Sequence, residues 1–369
     1  ATTLAVRSLH DHHPEADVTV VVTDPTSGAV APDGATALAA RDLEVGSVRY
    51  IDAWLIGGRA IARWSVVPAA VRALGAEAMA NGVLVLPGSA WVRAGLSDLL
   101  AAAPSGGIAL LPRGTDPAAG IAFGGWVPDT VAFGPGADAA LDWWEGTAER
   151  ILLADRDPST TPPADPWAWF VTGGVAVTAV TDPSLRLSPA SADRVQFEDD
   201  GTVRLAQFPG FDPQRPWWFA ESADVEPLLL ASESEALRRL CLAYAAALGP
   251  TAADARPSGG IVGLDHSGEF CAVVGAGFRS AHTGGRPFPN PLDPDTAAAF
   301  FDWMRDPSAS TLTGVSPAAD IVWLRRPDIA AAFPNVRWSD RDGFVRWLWT
   351  HGLNEGLITT ATLPPRTVE

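Results

Sequence analysis

The chain has 369 residues, a net charge of −17, an apolar fraction of 47% and a charged fraction of 19%. This is the balance of a folded globular protein with room for two domains, and it excludes a disordered chain. The acidic charge, and 26 basic residues that are all arginine, exclude nucleic acid and anionic membrane as natural partners.

Helix and strand patterns alternate through the first half. "TTLAVRSLHDHHPEADVTVVVTDP" reads as a helix ending near His12, a turn at Pro14 and a buried strand Val18 to Val22, closed by Asp24-Pro25. "ARWSVVPAAVRALGAEAMANGVLVLPGSAWV" repeats the theme, with a helix to about Ala80, a stop at Asn81-Gly82 and a strand Val83 to Leu86. "GIALLP", "TVAFGP" and "VAVTAV" supply further short strands. Strands alternating with helices predict an α/β sheet covered on both faces.

Beyond Phe219 the pattern turns helical. "SESEALRRLCLAYAAALGP" predicts a helix opened by a capping box of Ser232 and Glu235 and stopped at Gly249-Pro250. Leu237, Leu240, Cys241, Tyr244 and Leu248 share one face at helical spacing. "LDPDTAAAFFDWMRDP" predicts a helix capped by Asp293 with Pro294 at its first position, and "SDRDGFVRWLWTHG" one from a Ser339 cap to Gly352. The expected organisation is an α/β domain over 1–220 and a helical region over 221–369. No apolar run is long enough for a membrane span and no signal peptide opens the sequence, so a cytoplasmic location is expected. Cys241 and Cys271 are too few for a disulfide scaffold and read as reduced core thiols.

Chemistry-bearing patterns are sparse. The sequence holds no GxGxxG between strand and helix, no GxxxxGK[ST] and no HExxH. His10, His12 and His13 fall at a helix end, where imidazoles complement the helix dipole without any metal. Of the fifteen tryptophans, Trp64, Trp143, Trp144, Trp303 and Trp347 fit helical core packing. Trp54, Trp91, Trp126, Trp167, Trp169, Trp217 and Trp218 are expected in loops or at element ends, where an indole face can stack on a sugar. "FEDDG", Phe197 to Gly201, reads as a solvated turn before it reads as a hydrolase carboxylate pair.

The ordered motifs "HHPEADVTVVVTDP", "RWSVVPAAVRAL", "VLVLPG", "AFGPGADAALDWW" and "QFPGFDPQRPW", followed by "LRRPDIAAAFP" and "GFVRWLWTHGLNEGL", run through essentially the whole chain. Together they resemble a family of predicted bacterial glycosyltransferases, of actinobacterial type, with a GT-A fold. The resemblance implies transfer of a sugar from a nucleotide-sugar donor to a glycan or small-molecule acceptor. In such enzymes two aspartates of a DxD motif, and often a histidine of an HFxG turn, hold a divalent cation that stabilises the departing diphosphate.

This chain departs from that pattern at each ligand. Leu86-Pro87-Gly88-Ser89 stands where the family reads an acidic motif, Gln207 where it reads histidine, and Asp165-Pro166 where it reads an aspartate-glutamine pair. The sequence opens directly in the helix that follows the first strand of that fold; either it is trimmed there or the strand is supplied from elsewhere. The expectation is therefore a metal-independent transferase requiring no cofactor. In it, Asp24, Arg63, Ser89, Gln207, Gly210 and Arg215 contact the donor, arginines carry the diphosphate charge, and Asp165 or Asp212 positions the acceptor hydroxyl. The alternative is a degenerate, non-catalytic domain that binds a glycan or a partner glycosyltransferase.

Overall fold

The computed structural model describes residues 1–24, 30–112, 126–153, 174–185, 187, 200–219, 231, 234–249, 268–286, 288–291 and 297–364. In chain order the elements are α1 (Thr2–His12), β1 (Thr19–Val22), β2 (Thr36–Ala39), β3 (Glu44–Val45), β4 (Val48–Arg49), α2 (Tyr50–Ser65), α3 (Val67–Ala73) and α4 (Ala76–Asn81). Then come β5 (Val83–Val85), β6 (Ala90–Val92), α5 (Ser97–Ala101), β7 (Ile108–Pro112), β8 (Trp126–Phe133), α6 (Asp138–Leu153), β9 (Val177–Ala179) and β10 (Leu205–Gln207). The remainder is helical: α7 (Glu235–Leu248), α8 (Gly268–Thr283), α9 (Ala298–Arg305), α10 (Pro317–Arg325), α11 (Pro327–Ala332) and α12 (Arg341–Trp347), which runs on into a π-helical turn Leu348–Gly352.

Contacts divide the chain into two units, each assembled from three stretches of sequence: 1–43, 66–147 and 162–258 in the first, and 44–65, 148–161 and 259–369 in the second. The sequence reading sets one boundary near residue 220. The observed division instead gives 221–258 to the N-terminal unit, and 44–65 and 148–161 to the C-terminal one.

The first unit is mixed α/β with small sheets. Its largest sheet has the order β5-β8-β7-β9; β8 runs antiparallel to β5 and β7, and β7 runs parallel to β9. Ile108, Ala109, Leu110 and Leu111 of β7 are all buried, as a strand covered on both faces requires. Phe133 stacks on Trp144 of α6 with ring centroids 5.9 Å apart. Two further pairs stand apart from this sheet: parallel β1–β2, and antiparallel β6–β10. The single helix expected up to Ala80 is broken at Gly75, whose φ of +89° ends α3 before α4 begins. Ser234, not Ser232, caps α7, its hydroxyl accepting from Leu237 N–H at 3.3 Å, while Gly249 ends that helix with φ +76°. Ser232 lies outside the described residues, as do Asp293 and Pro294.

The second unit is mostly helical. The β3–β4 hairpin turns at Gly46-Ser47, where Glu149 accepts from the backbone and hydroxyl of Ser47. Helix α2 carries Trp54 within a helix rather than at an element end, and it is broken at Gly58. Helix α8 crosses α2 closely because Gly275 has no side chain: a Cβ there would collide with the Leu55 carbonyl oxygen. One turn on, the buried Arg279 donates to Ile56 O at 2.6 Å, and burial pushes its guanidinium down to about 10. Phe278, Phe288, Phe300 and Trp303 pack edge-on or tilted around α9.

The loop before α10 closes on one buried carboxylate. Asp320 accepts from the Ser310 and Thr313 hydroxyls and from the backbone of Thr311, Leu312 and Thr313. Helix α12 starts at Arg341 behind Asp340, one residue later than a Ser339 cap would place it, and its π turn ends at Gly352 as expected. Among the described residues no helix is long and apolar enough to cross a membrane.

Candidate functional site

The β6–β10 pair joins two segments that are far apart in sequence. Gln207 is in register with Ala90, and Phe208 N–H donates to Ser89 O at 3.1 Å. The Pro87-Gly88-Ser89 turn, closed by Ala90 N–H onto Pro87 O at 2.9 Å, therefore lies directly against the start of "QFPGFDPQRPWWF". Tyr244 of α7 reaches the same Ser89 carbonyl with its hydroxyl, at 3.5 Å.

The segment after Gln207 is a chain of turns on an aromatic floor. Phe208 stacks flat on Tyr244, with centroids 3.8 Å apart, and meets Phe211 and Phe219 edge-on at 5.3 Å each. Trp91 tilts against Tyr244 at 5.7 Å and carries the Arg93 guanidinium over its own ring at 5.1 Å. These rings belong to a core cluster with Leu237, Leu240 and Cys241, so the floor is fixed by α7. Above it, Gly210 turns the chain with φ +67°, a conformation that favours glycine. Pro209, Pro213 and Pro216 each fix a φ angle, which suits a run of consecutive turns.

The acidic and basic candidates of this segment hold each other. Asp212 accepts from Gln214 N–H at 2.9 Å with one carboxylate oxygen and from Arg215 Nε at 2.9 Å with the other. Arg215 N–H closes the same turn onto Asp212 O at 3.0 Å, and Trp218 N–H continues it onto Arg215 O at 3.0 Å. This is an Asx-turn with an ion pair on its rim.

Gln207 behaves differently from a ligand facing solvent. Its side chain is 4% exposed and its Nε2 donates to the Thr130 hydroxyl of β8 at 2.6 Å, tying the β6–β10 pair to the four-stranded sheet. Sequence reasoning missed Thr130, although a lone hydroxyl opening the apolar run "TVAF" was the visible signal. It also took Tyr244 only as a core residue of a helix face. Burial raises the Tyr244 hydroxyl above its ordinary range and pushes the Cys241 thiol up to about 12, so neither serves as a base near neutral pH.

Ser89, Gln207, Gly210, Asp212 and Arg215 thus belong to one cluster. Asp24 lies in the same unit, half-buried directly after β1. Arg63 is half-buried on α2, in the second unit, with α3 and α4 between it and β5 in the chain. Asp165 and Pro166 lie outside the described residues. His10 and His13 are engaged with backbone: His10 Nε2 lies 3.2 Å from Ala16 O, and His13 Nε2 accepts from Leu96 N–H at 2.7 Å.

Hard divalent cations favour carboxylate oxygens; among the described residues the Pro87-Gly88-Ser89 turn offers one serine hydroxyl, and Gln207 Nε2 is engaged with Thr130. No protein-family model, curated protein or solved structure matches the chain.

Proposed function

We propose that the first unit is a glycosyltransferase-like domain of GT-A type that engages a nucleotide sugar without a protein-held metal ion. The observation that carries this reading is the β6–β10 pairing. It sets the Pro87-Gly88-Ser89 turn beside Gln207, as a diphosphate site shared by the two corresponding family motifs requires. In an active enzyme the sugar C1–oxygen bond to the diphosphate breaks as the acceptor oxygen bonds to C1, and negative charge gathers on the leaving phosphate. Arg215 is the candidate to meet that charge: its side chain is exposed, and a guanidinium can place two N–H donors on phosphate oxygens. Asp212, once released, or Asp165 would orient the acceptor hydroxyl. Asp24 and Ser89, of the same unit, complete the proposed donor contacts, and a glycan or small molecule is the proposed acceptor. A supply of nucleotide sugar places this activity in the cytoplasm.

A second reading, a non-catalytic relative that binds a glycan or a partner glycosyltransferase, is favoured by a different observation. Gln207 Nε2, the Asp212 carboxylate and Arg215 Nε already hold hydrogen bonds within the protein.

Thermal unfolding with UDP, GDP and dTDP, each with and without manganese, separates the two. A nucleotide at a hundred times its Kd stabilises the fold by about 2.7 kcal/mol, or roughly 5–10 °C for a unit of this size. The metal-free reading expects that shift without manganese and its loss in Arg215→Gln. No shift with any nucleotide supports the non-catalytic relative. A shift that needs manganese overturns the assignment of Pro87-Gly88-Ser89 and Gln207 as a metal-free site.

A further inference from the structure

We infer that Asn81-Gly82, the junction between α4 and β5, is a self-modifying site: the asparagine loses its amide through a succinimide, and the resulting isoaspartate loosens the edge of the four-stranded sheet. The sequence holds four asparagines. Asn290, Asn335 and Asn354 precede proline, valine and glutamate, whereas Asn81 precedes glycine, which has no side chain to shield its backbone nitrogen. Asn81 is exposed and is the last residue of α4, a helix of six residues. The final turn of so short a helix opens at little cost, and its side chain then reaches the nitrogen that follows it. The glycine itself is fixed by packing: its φ is +88°, and a Cβ there would lie 2.9 Å from Phe133 O.

The Gly82 nitrogen attacks the side-chain carbonyl carbon of Asn81 and gives up its proton. The C–N bond of the side-chain amide breaks and ammonia leaves, closing a five-membered ring. Water opens that ring in two ways. Cleavage at the side-chain carbonyl leaves an aspartate at position 81. Cleavage at the main-chain carbonyl leaves isoaspartate, in which the chain runs through the side chain and gains one backbone atom. Either product adds a negative charge at a helix C-terminus, where the dipole disfavours it. Only isoaspartate also displaces the strand. Val83, two residues on, is in register with Phe133, and β5 is a three-residue strand at the edge of the sheet, held by β8. An extra backbone atom just before so short a ladder works against that register. None of this chemistry depends on a nucleotide or a sugar.

The test ages the whole chain at pH 8 and 37 °C, natively and in urea, and then digests it with trypsin. Residues 73–93, released by cleavage at Arg72 and Arg93, form one peptide whose only amide side chain is Asn81. In the native chain that peptide should pass from the amide to the acid mass within about tenfold of the urea rate, as a fraying helix end allows. It should also accept methyl groups from an isoaspartyl carboxyl methyltransferase, and Asn81→Gln should do neither. Aged chain carrying the extra charge, isolated by anion exchange, should show faster backbone hydrogen exchange across β5 than fresh chain. Asn81→Asp, which has the charge without the extra atom, should exchange like fresh chain. The site is refuted if the native peptide keeps its amide while the unfolded one loses it, or if Asn81→Gln is methylated equally. The loosening is refuted if aged chain protects β5 as well as fresh chain, or if Asn81→Asp exchanges as fast as aged chain.

Discussion

Gln207 is the residue on which the structural and the catalytic readings of the β6–β10 turn diverge. If it is a strut, its worth lies in the bond to Thr130; if it waits for a ligand, that bond contributes little. Gln207→Leu keeps the side-chain volume roughly constant and leaves the Thr130 hydroxyl, fully buried in β8, without the partner shown at 2.6 Å. A buried polar group so stranded costs about 1–3 kcal/mol, and Thr130→Val strands the amide by the same logic. Replacing both removes the donor and the acceptor together, so the double variant should lose less than the sum of the singles, by about 1 kcal/mol. Each kcal/mol corresponds to about 2–4 °C in a domain of 150–250 residues, which makes the singles roughly 4–8 °C less stable if each costs about 2 kcal/mol. Urea unfolding followed by far-UV circular dichroism for all four proteins gives the coupling directly. Strictly additive losses, or a neutral Gln207→Leu, would refute the strut and leave the amide available to a ligand.

Asp320→Ala should be among the most damaging changes in the second unit. It strands two hydroxyls and three backbone N–H groups of the loop 310–313, and a loss of about 3 kcal/mol is expected in urea unfolding; a loss under about 1 kcal/mol would show that the loop closes without it. Hydrogen bonds from Arg204 hold the Asp98 carboxyl below its ordinary range. With a folded value depressed in this way, the pair's stabilisation is present above the unfolded carboxylate range near 4 and fades as pH falls through the lower folded value. The stability difference between the native chain and Asp98→Asn, under about 1 kcal/mol for so exposed a pair, should shrink as pH falls from 5 to 2; a constant difference contradicts the linkage. Burial that pushes Cys241 up to about 12 predicts that, in a Cys271→Ser background, a disulfide reagent at pH 8 finds no thiol until urea unfolds the chain. Rapid labelling of the native protein would show that the α7 face opens.

Much of the local structure was legible because it is written in short-range patterns. The Val-rich run gave β1, the continuous apolar "IALL" gave a strand buried on both faces, and the spacing of Leu237, Leu240, Cys241 and Tyr244 gave the buried face of α7. Boundaries slipped where two residues compete for one cap, as Ser232 and Ser234 do, or where a glycine such as Gly75 interrupts an otherwise helical pattern. What the pattern could not carry was partnership. That Gln207 would turn inward to Thr130, or that Asp212 would hold its neighbour Arg215, depends on side-chain geometry that no spacing encodes. Nothing in either segment specifies the pairing of β6 with β10, which sets Ser89 against Phe208.

The interleaving of the two units sets a schedule for the chain as it leaves the ribosome. Residues 44–65, including α2, belong with 259–369, and the helix that receives the Leu55 and Ile56 carbonyls, α8, begins only at Gly268. Roughly 200 residues must be added in between, which at about 5–20 residues per second takes about 10–40 s. Through that interval the apolar side of α2, with Ala53, Leu55, Ile56 and Ala62, waits without its lasting partner while the first unit is synthesised. Slow translation would lengthen this exposure and a holding chaperone would shield it. A fragment cut near residue 220 keeps α2 and discards α8, and so perpetuates the half-made state.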